Sequence, residues 1–189
     1  MNEELNNAVW AMAHGTLRNY IAPGLTSYLI GGPQNGKVRL FHSDRETREW
    51  VTPHSHRFDF TCLVLKGSAT NIVFQRYWGN AGDLYVPGTL ERREEFGDYE
   101  YVPGDKPYVY VETAHTYGIG ETYSMKSNQI HSIRFARGSE VLFFEGPEVA
   151  QISVVLEPWS NGKRVPTFVT QPWMFEREAS QATSTPEPT

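Results

Sequence analysis

Two histidines stand one residue apart in Pro53-His54-Ser55-His56. The residues that follow, from Arg57 to Gly67 (RFDFTCLVLKG), read as a β-strand. Side chains alternate faces along a strand, so His54 and His56 point the same way, about 7 Å apart by the per-residue rise. Phe58, Phe60, Cys62 and Val64 continue that face. Two imidazoles so placed can converge on one ion, and imidazole is a ligand for zinc, iron, copper and nickel. A third donor must come from another strand. His131 fits best, because it sits in the β-type run Gln129-Ile130-His131-Ser132-Ile133, before the turn Ala136-Arg137-Gly138. Of the other histidines, His14 falls in a predicted helix, His115 in a loop-like stretch, and His42 at a strand end where it can face either way.

Other residues near this pattern have plainer expected roles. Asp59 faces away from the histidines by parity, and only a β-bulge would turn it inward. On the outer face it can hold Arg57 or a backbone amide, or support a ligand imidazole from behind. Cys62 shares the histidine face, which suits a buried, inert thiol. Gln75, Tyr77 and Tyr123 are candidates to reach a cavity and position a substrate. No catalytic acid, base or nucleophile stands out. The run Glu91-Arg92-Arg93-Glu94-Glu95 reads as a solvated charge cluster, and Phe143-Phe144 as core.

The elements that must position these residues are mostly strands. The chain has 189 residues, enough for one sizeable domain. It carries 10 Phe, 10 Tyr and 5 Trp, and its 16 Gly and 12 Pro fall largely in turn-like clusters. That mix suits a β-rich domain rather than a helical bundle or a disordered chain. Residues 2–21 read as a helix, with Leu5, Val9, Met12 and Leu17 near one stripe, ended by Ala22-Pro23-Gly24. From residue 25 onward roughly ten short β-type runs follow, which predicts a sandwich or barrel. Residues 161–175 would pack back through Phe168, Trp173 and Phe175. Residues 176–189, rich in Ser, Thr, Pro and Glu, read as a disordered tail.

Charge and composition also exclude classes. The formal charge of −5 gives no nucleic-acid footprint. No apolar run approaches the roughly 18 residues that span a membrane, and the N-terminal stretch does not read as a secretory signal. With one cysteine, Cys62, no internal disulfide forms, and a cytoplasmic, reducing compartment is the expectation.

The segment HSHRFDFTCLVLKG resembles the first motif of the cupin superfamily, with paired histidines on a strand and then a turn glycine, here Gly67. The stretch from Tyr123 to Pro147 resembles the second motif, whose single histidine would be His131. The resemblance covers roughly residues 38–157. It implies an all-β double-stranded β-helix, a jelly-roll barrel over residues 25–175 with a metal inside one mouth. The 1–24 segment would be a helical extension and the region around 88–118 an insertion. Two departures stand out. Where the usual first motif has a Glu on the histidine face, this chain has Phe60. The spacing from His56 to His131 is longer than a compact cupin needs, the excess being an acidic, Tyr-rich stretch that could serve as a lid, an extra hairpin or an oligomer contact.

The missing Glu favours a site of three histidines, His54, His56 and His131, over three histidines and a carboxylate. That set is similar to the thiol dioxygenases and some diketone- and quercetin-cleaving dioxygenases among cupins. The resemblance therefore implies a metal-dependent oxidoreductase, an Fe(II) dioxygenase acting on a small molecule. Two alternatives stand beside it. One is a Lewis-acid isomerase, epimerase or decarboxylase on the same scaffold. The other is a non-catalytic ligand-binding or structural cupin. Cupins often pair, so a homodimer is also compatible.

Overall fold

The computed structural model describes residues 16–18, 20–30, 37–49, 52–92 and 99–165. Within them the chain is all β. A five-stranded antiparallel sheet has the order β1 (Leu25–Leu29), β2 (Val38–Ser43), β11 (Glu140–Glu148), β4 (Phe58–Lys66), β9 (Thr122–Met125). A larger sheet runs β13 (Lys163–Arg164), β12 (Ile152–Ser160), β6 (Asp83–Arg92), β8 (Tyr108–Tyr117), β5 (Ala69–Arg76), β10 (Ile130–Phe135), β3 (Thr47–Arg48). A further strand, β7 (Tyr99–Val102), pairs with β6.

The alternation read from the sequence explains how the sheets meet. Phe60, Cys62 and Val64 of β4 are all buried, as parity requires. They pack with Phe41, Val141 and Phe143 of the same sheet and with Ala69, Ile133 and Phe135 of the other. Phe41 and Phe135 meet edge to face, 6.1 Å between centroids. The large sheet also buries part of its second face, where Ile72, Phe74, Tyr110 and Leu156 form a smaller cluster.

One short stretch ties the large sheet together. Residues 53–55 lie between β10 and β12, the two well-separated members of the strand path. His54 bridges both His131 and Val155. The Ser55 N–H donates to the Val154 carbonyl (2.8 Å) and the Leu156 N–H to the Pro53 carbonyl (2.8 Å). This closes the path β12-β6-β8-β5-β10 on itself and draws the sheet around the core.

All ten runs read from the sequence are strands. Three strands were not anticipated. β3 and β13 have two residues each, too few to show a period. β7 lies in the acidic, Tyr-rich stretch. That stretch, where described, forms the end of β6, then β7, then β8, which lies between β5 and β6. Pro87 does not stop β6 because it falls in a gap on one edge. β8 pairs with residues Asp83 to Tyr85 and β7 with Thr89 to Arg92, so no partner on that edge needs the missing N–H.

The helix expected over residues 2–21 lies outside the described residues from 1 to 15. Its described end is not helical. Leu17 instead forms an antiparallel bridge with Ser27, with a 2.8 Å hydrogen bond in each direction. Local helical spacing yields there to pairing with β1. Phe168, Trp173, Phe175 and the expected tail also lie outside the described residues, whereas Asn161 to Val165 form a turn and β13.

The chain changes sheets between β4 and β5 at Gly67-Ser68. Gly67 has φ +68°, and a Cβ there would stand 2.6 Å from Ser139 Oγ. Ser139 Oγ donates to the Ser68 carbonyl (2.7 Å) and accepts from its N–H (3.1 Å). Gly67→Ala is therefore expected to cost at least about 1–2 kcal/mol from the left-handed backbone alone. Urea unfolding should show a lower midpoint with an unchanged slope.

Candidate metal centre

The three histidines singled out in the sequence come together. His54 and His131 are direct partners across an antiparallel bridge, each N–H donating to the other's carbonyl at 2.9 Å. Residues opposed in this way send their side chains to the same face. His56 is held by its N–H to the Ser127 carbonyl (3.1 Å). One potential donor atom from each of the three rings lies within 4.8 Å of the others.

The hydrogen bonds set which nitrogens point inward. Asn71 Nδ2 donates to Met125 Sδ (3.1 Å), so Asn71 Oδ1 is free to accept. It lies 2.7 Å from His131 Nδ1, which therefore carries the proton and leaves Nε2 as a lone-pair donor. His54 Nδ1 is likewise directed to the Thr52 carbonyl, 3.0 Å away. His56 Nε2 and His131 Nε2 are 2.9 Å apart. Two lone pairs cannot face each other at that distance, so a proton or a cation must lie between them. Burial lowers the basicity of all three rings. His131 falls to about 3, through burial first and then the neighbouring His54. Neutral imidazoles are the form that binds metal, and the donor set fits a divalent ion.

Glu49 lies behind this group. Its Oε2 accepts from the Ile133 N–H at 2.9 Å. Its Oε1 is 3.3 Å from His54 Nδ1 but has no hydrogen bond, because that nitrogen is aimed at Thr52. Burial pushes the Glu49 carboxyl up to about 8, against the Ile133 N–H, which lowers it. A buried carboxyl oxygen left orphaned beside a histidine is the feature a cation on that ring would draw in.

Both sheets line the cavity in front of the histidines, of about 330 Å³. Its walls are largely aromatic. Phe60 stands where a carboxylate would extend the donor set, its ring 4.8 Å from His56 and 5.3 Å from His131. Phe58 lies 5.2 Å from His56, and Phe143 stacks near Phe60 at 4.9 Å. Arg39, Arg57 and Glu145 add charged groups to the lining.

Asp59 does not enter the cavity. It accepts from the Ser127 N–H (2.8 Å) and from Lys126 Nζ (2.6 Å), and these bonds, Lys126 first, hold its carboxyl below the usual range. Since Ser127 also receives the His56 N–H, Asp59 fixes the turn on which His56 rests. Arg57 pairs with Glu148 at 3.1 Å. Tyr123 is buried on the cavity wall beside Cys62, and its hydroxyl makes no hydrogen bond of ordinary geometry. Gln75 and Tyr77 are exposed and do not line the cavity. His42 lies near Glu140 (3.7 Å) and His115 against Tyr117, both away from the histidine group. His14 lies outside the described residues. Glu49 and Asn71 were not anticipated. Asn71 had a signal, being a polar residue on the inward parity of β5 with Ala69 and Val73.

No family model matches the chain, and no curated relative does. Among solved structures it is similar to KdgF from Halomonas sp., at 12% identity over 67% of this chain and 83% of that one, TM-score 0.36. It is similar to a cupin superfamily protein from Desulfitobacterium hafniense, at 12% over 70% and 76%, TM-score 0.35. A third is hydroquinone 1,2-dioxygenase from Sphingomonas sp. with 4-hydroxybenzoate bound, at 8% over 79% and 81%, TM-score 0.43. Cupins are thus among the similar structures. The chemistry rests on the donor set itself.

Cys62 lines the cavity but is only 2% exposed, and burial pushes its thiol up to about 12. The native protein should react slowly with a thiol reagent at pH 8 and fully on unfolding. Asn71→Leu leaves the His131 Nδ1–H without its acceptor and should cost about 1–3 kcal/mol in denaturant unfolding.

Proposed function

We propose that this protein is a metal-dependent enzyme of cupin type, an Fe(II) dioxygenase acting on a small molecule, with the ion held by His54, His56 and His131. The observation that carries the reading is the convergence of three neutral imidazoles in an aromatic cavity where Phe60 replaces a carboxylate. A divalent ion held there would supply Lewis acidity and, as iron, redox chemistry.

The chain's own residues define the rest. Three neutral donors leave the charge of the ion uncompensated, which favours an anionic or bidentate substrate over water. Asn71 and the Thr52 carbonyl keep His131 and His54 in the tautomer that offers Nε2. Phe58, Phe60 and Phe143 form a wall that excludes water from the reacting groups. Tyr123 and Cys62 line the same cavity, and the buried Tyr123 hydroxyl is available to a bound substrate.

The experiment is metal analysis by mass spectrometry on anaerobically purified protein, with oxygen uptake in a substrate screen. Near-stoichiometric iron and substrate-dependent oxygen uptake are expected. His54→Ala, His56→Ala and His131→Ala should each lose metal and turnover while keeping the fold by circular dichroism. Turnover without oxygen uptake, on bound zinc, nickel or manganese, would move the assignment to Lewis-acid chemistry. A folded protein that takes up no metal would overturn both enzyme readings.

The supporting shell gives a graded effect. Asn71→Ala should weaken metal binding by about 10–100-fold, read by competition with a chelator.

A further inference from the structure

Among the described residues, one cation on the cavity wall has no carboxylate partner. Glu145 is paired with Lys37 at 3.4 Å and Arg57 with Glu148 at 3.1 Å. Arg39 has no carboxylate partner among the described residues. Its Nη1 donates to Ser27 Oγ (3.1 Å) and its guanidinium lies over the Tyr20 ring at 5.5 Å. Those contacts use one N–H and one face of a group with five donors.

The position of Arg39 is fixed by the sheet. It sits on β2 opposite Phe143 of β11, two residues from Phe41, so all three side chains share the inward face. A partly buried guanidinium on the cavity wall, without a carboxylate partner among the described residues, is suited to an anion, because its planar fork matches a carboxylate in two parallel bonds. The rest of the wall, with Phe41, Phe58, Phe60 and Phe143, suits flat apolar surface. The volume of about 330 Å³ is at the lower end for small-molecule pockets, so the ligand is small.

We propose that the cavity takes a small aromatic carboxylic acid, with Arg39 binding the carboxylate and the phenylalanine rings holding the apolar part. This deepens the reading of the same cavity as a metal site and rests on it for any turnover, but the binding step belongs to Arg39 and stands on its own.

The test is the affinity of the full-length protein for benzoate and for its uncharged analogue benzamide, by isothermal titration or ligand-observed NMR. The wild type should prefer benzoate by about tenfold or more, the worth of a charge-assisted pair. Arg39→Gln should bring the two affinities within about threefold, chiefly by weakening benzoate. Arg39→Lys, which keeps the charge without the fork, should give an intermediate preference. The His56→Ala variant, which removes a metal donor, should keep the benzoate preference. No preference in the wild type, or a preference that survives Arg39→Gln, would overturn the proposal. So would a preference lost in His56→Ala, since the ion would then hold the carboxylate. Because the readout is binding, a failure to find metal or turnover leaves this result standing.

Discussion

The site depends on the pair of backbone hydrogen bonds between His54 and His131. Each is 2.9 Å long, and together they place two imidazoles on one face without any side-chain contact having to do so. The same residue also bridges Val155, so the stretch that carries the histidines closes the large sheet. Site and barrel are therefore one construction. Moving the 53–55 stretch by one residue would turn His54 and His56 away from the cavity and break the link between β10 and β12.

Around that frame the structure places polar atoms where apolar ones would be more stable. Three imidazoles, a carboxyl and an asparagine lie among phenylalanines. Burying such groups is costly unless each finds a partner. Most do: Asn71 serves His131 and Met125, Thr52 serves His54, and Ile133 serves Glu49. Among the described residues, the buried side-chain atoms left without a partner are Glu49 Oε1, Thr52 Oγ1, the Tyr123 hydroxyl and Glu157 Oε1. Glu49 and Tyr123 line the cavity that the histidines face, whereas Thr52 and Glu157 do not line it, and Glu157 is held by Tyr101 and Arg164. The two on the cavity wall are the ones within reach of an ion or a substrate bound there.

Much of this arrangement is visible in the sequence, for identifiable reasons. Period-two alternation along β4 turns Phe60 and Cys62 inward and Asp59 outward, as the structure has them, whereas His54 and His56 precede β4, and His54 meets His131 through an isolated bridge to β10. His131 stands out as a lone imidazole between Ile130 and Ile133. What sequence reading misses depends on pairing between distant strands. Asn71 reaches His131 only because β5 and β10 pair in one register, and Glu49 reaches His54 only because the chain doubles along β10. Gln75 has the inward parity of Asn71 and Val73, yet it lies at the exposed end of β5, beyond the cavity. Parity gives the face, but not how far along a strand the opposite sheet extends. Leu17 shows the reverse limit, since helical spacing in a short stretch is outweighed by a β-bridge to Ser27.

The proposed site holds one ion among His54, His56 and His131. Anomalous diffraction from crystals of the metal-loaded protein, collected on either side of the metal's absorption edge, tests it most directly. A single strong peak is expected in contact with one nitrogen of each of the three rings, with no protein carboxylate bound to it. A peak elsewhere, a peak touching fewer than three of these rings, or none after loading would contradict it.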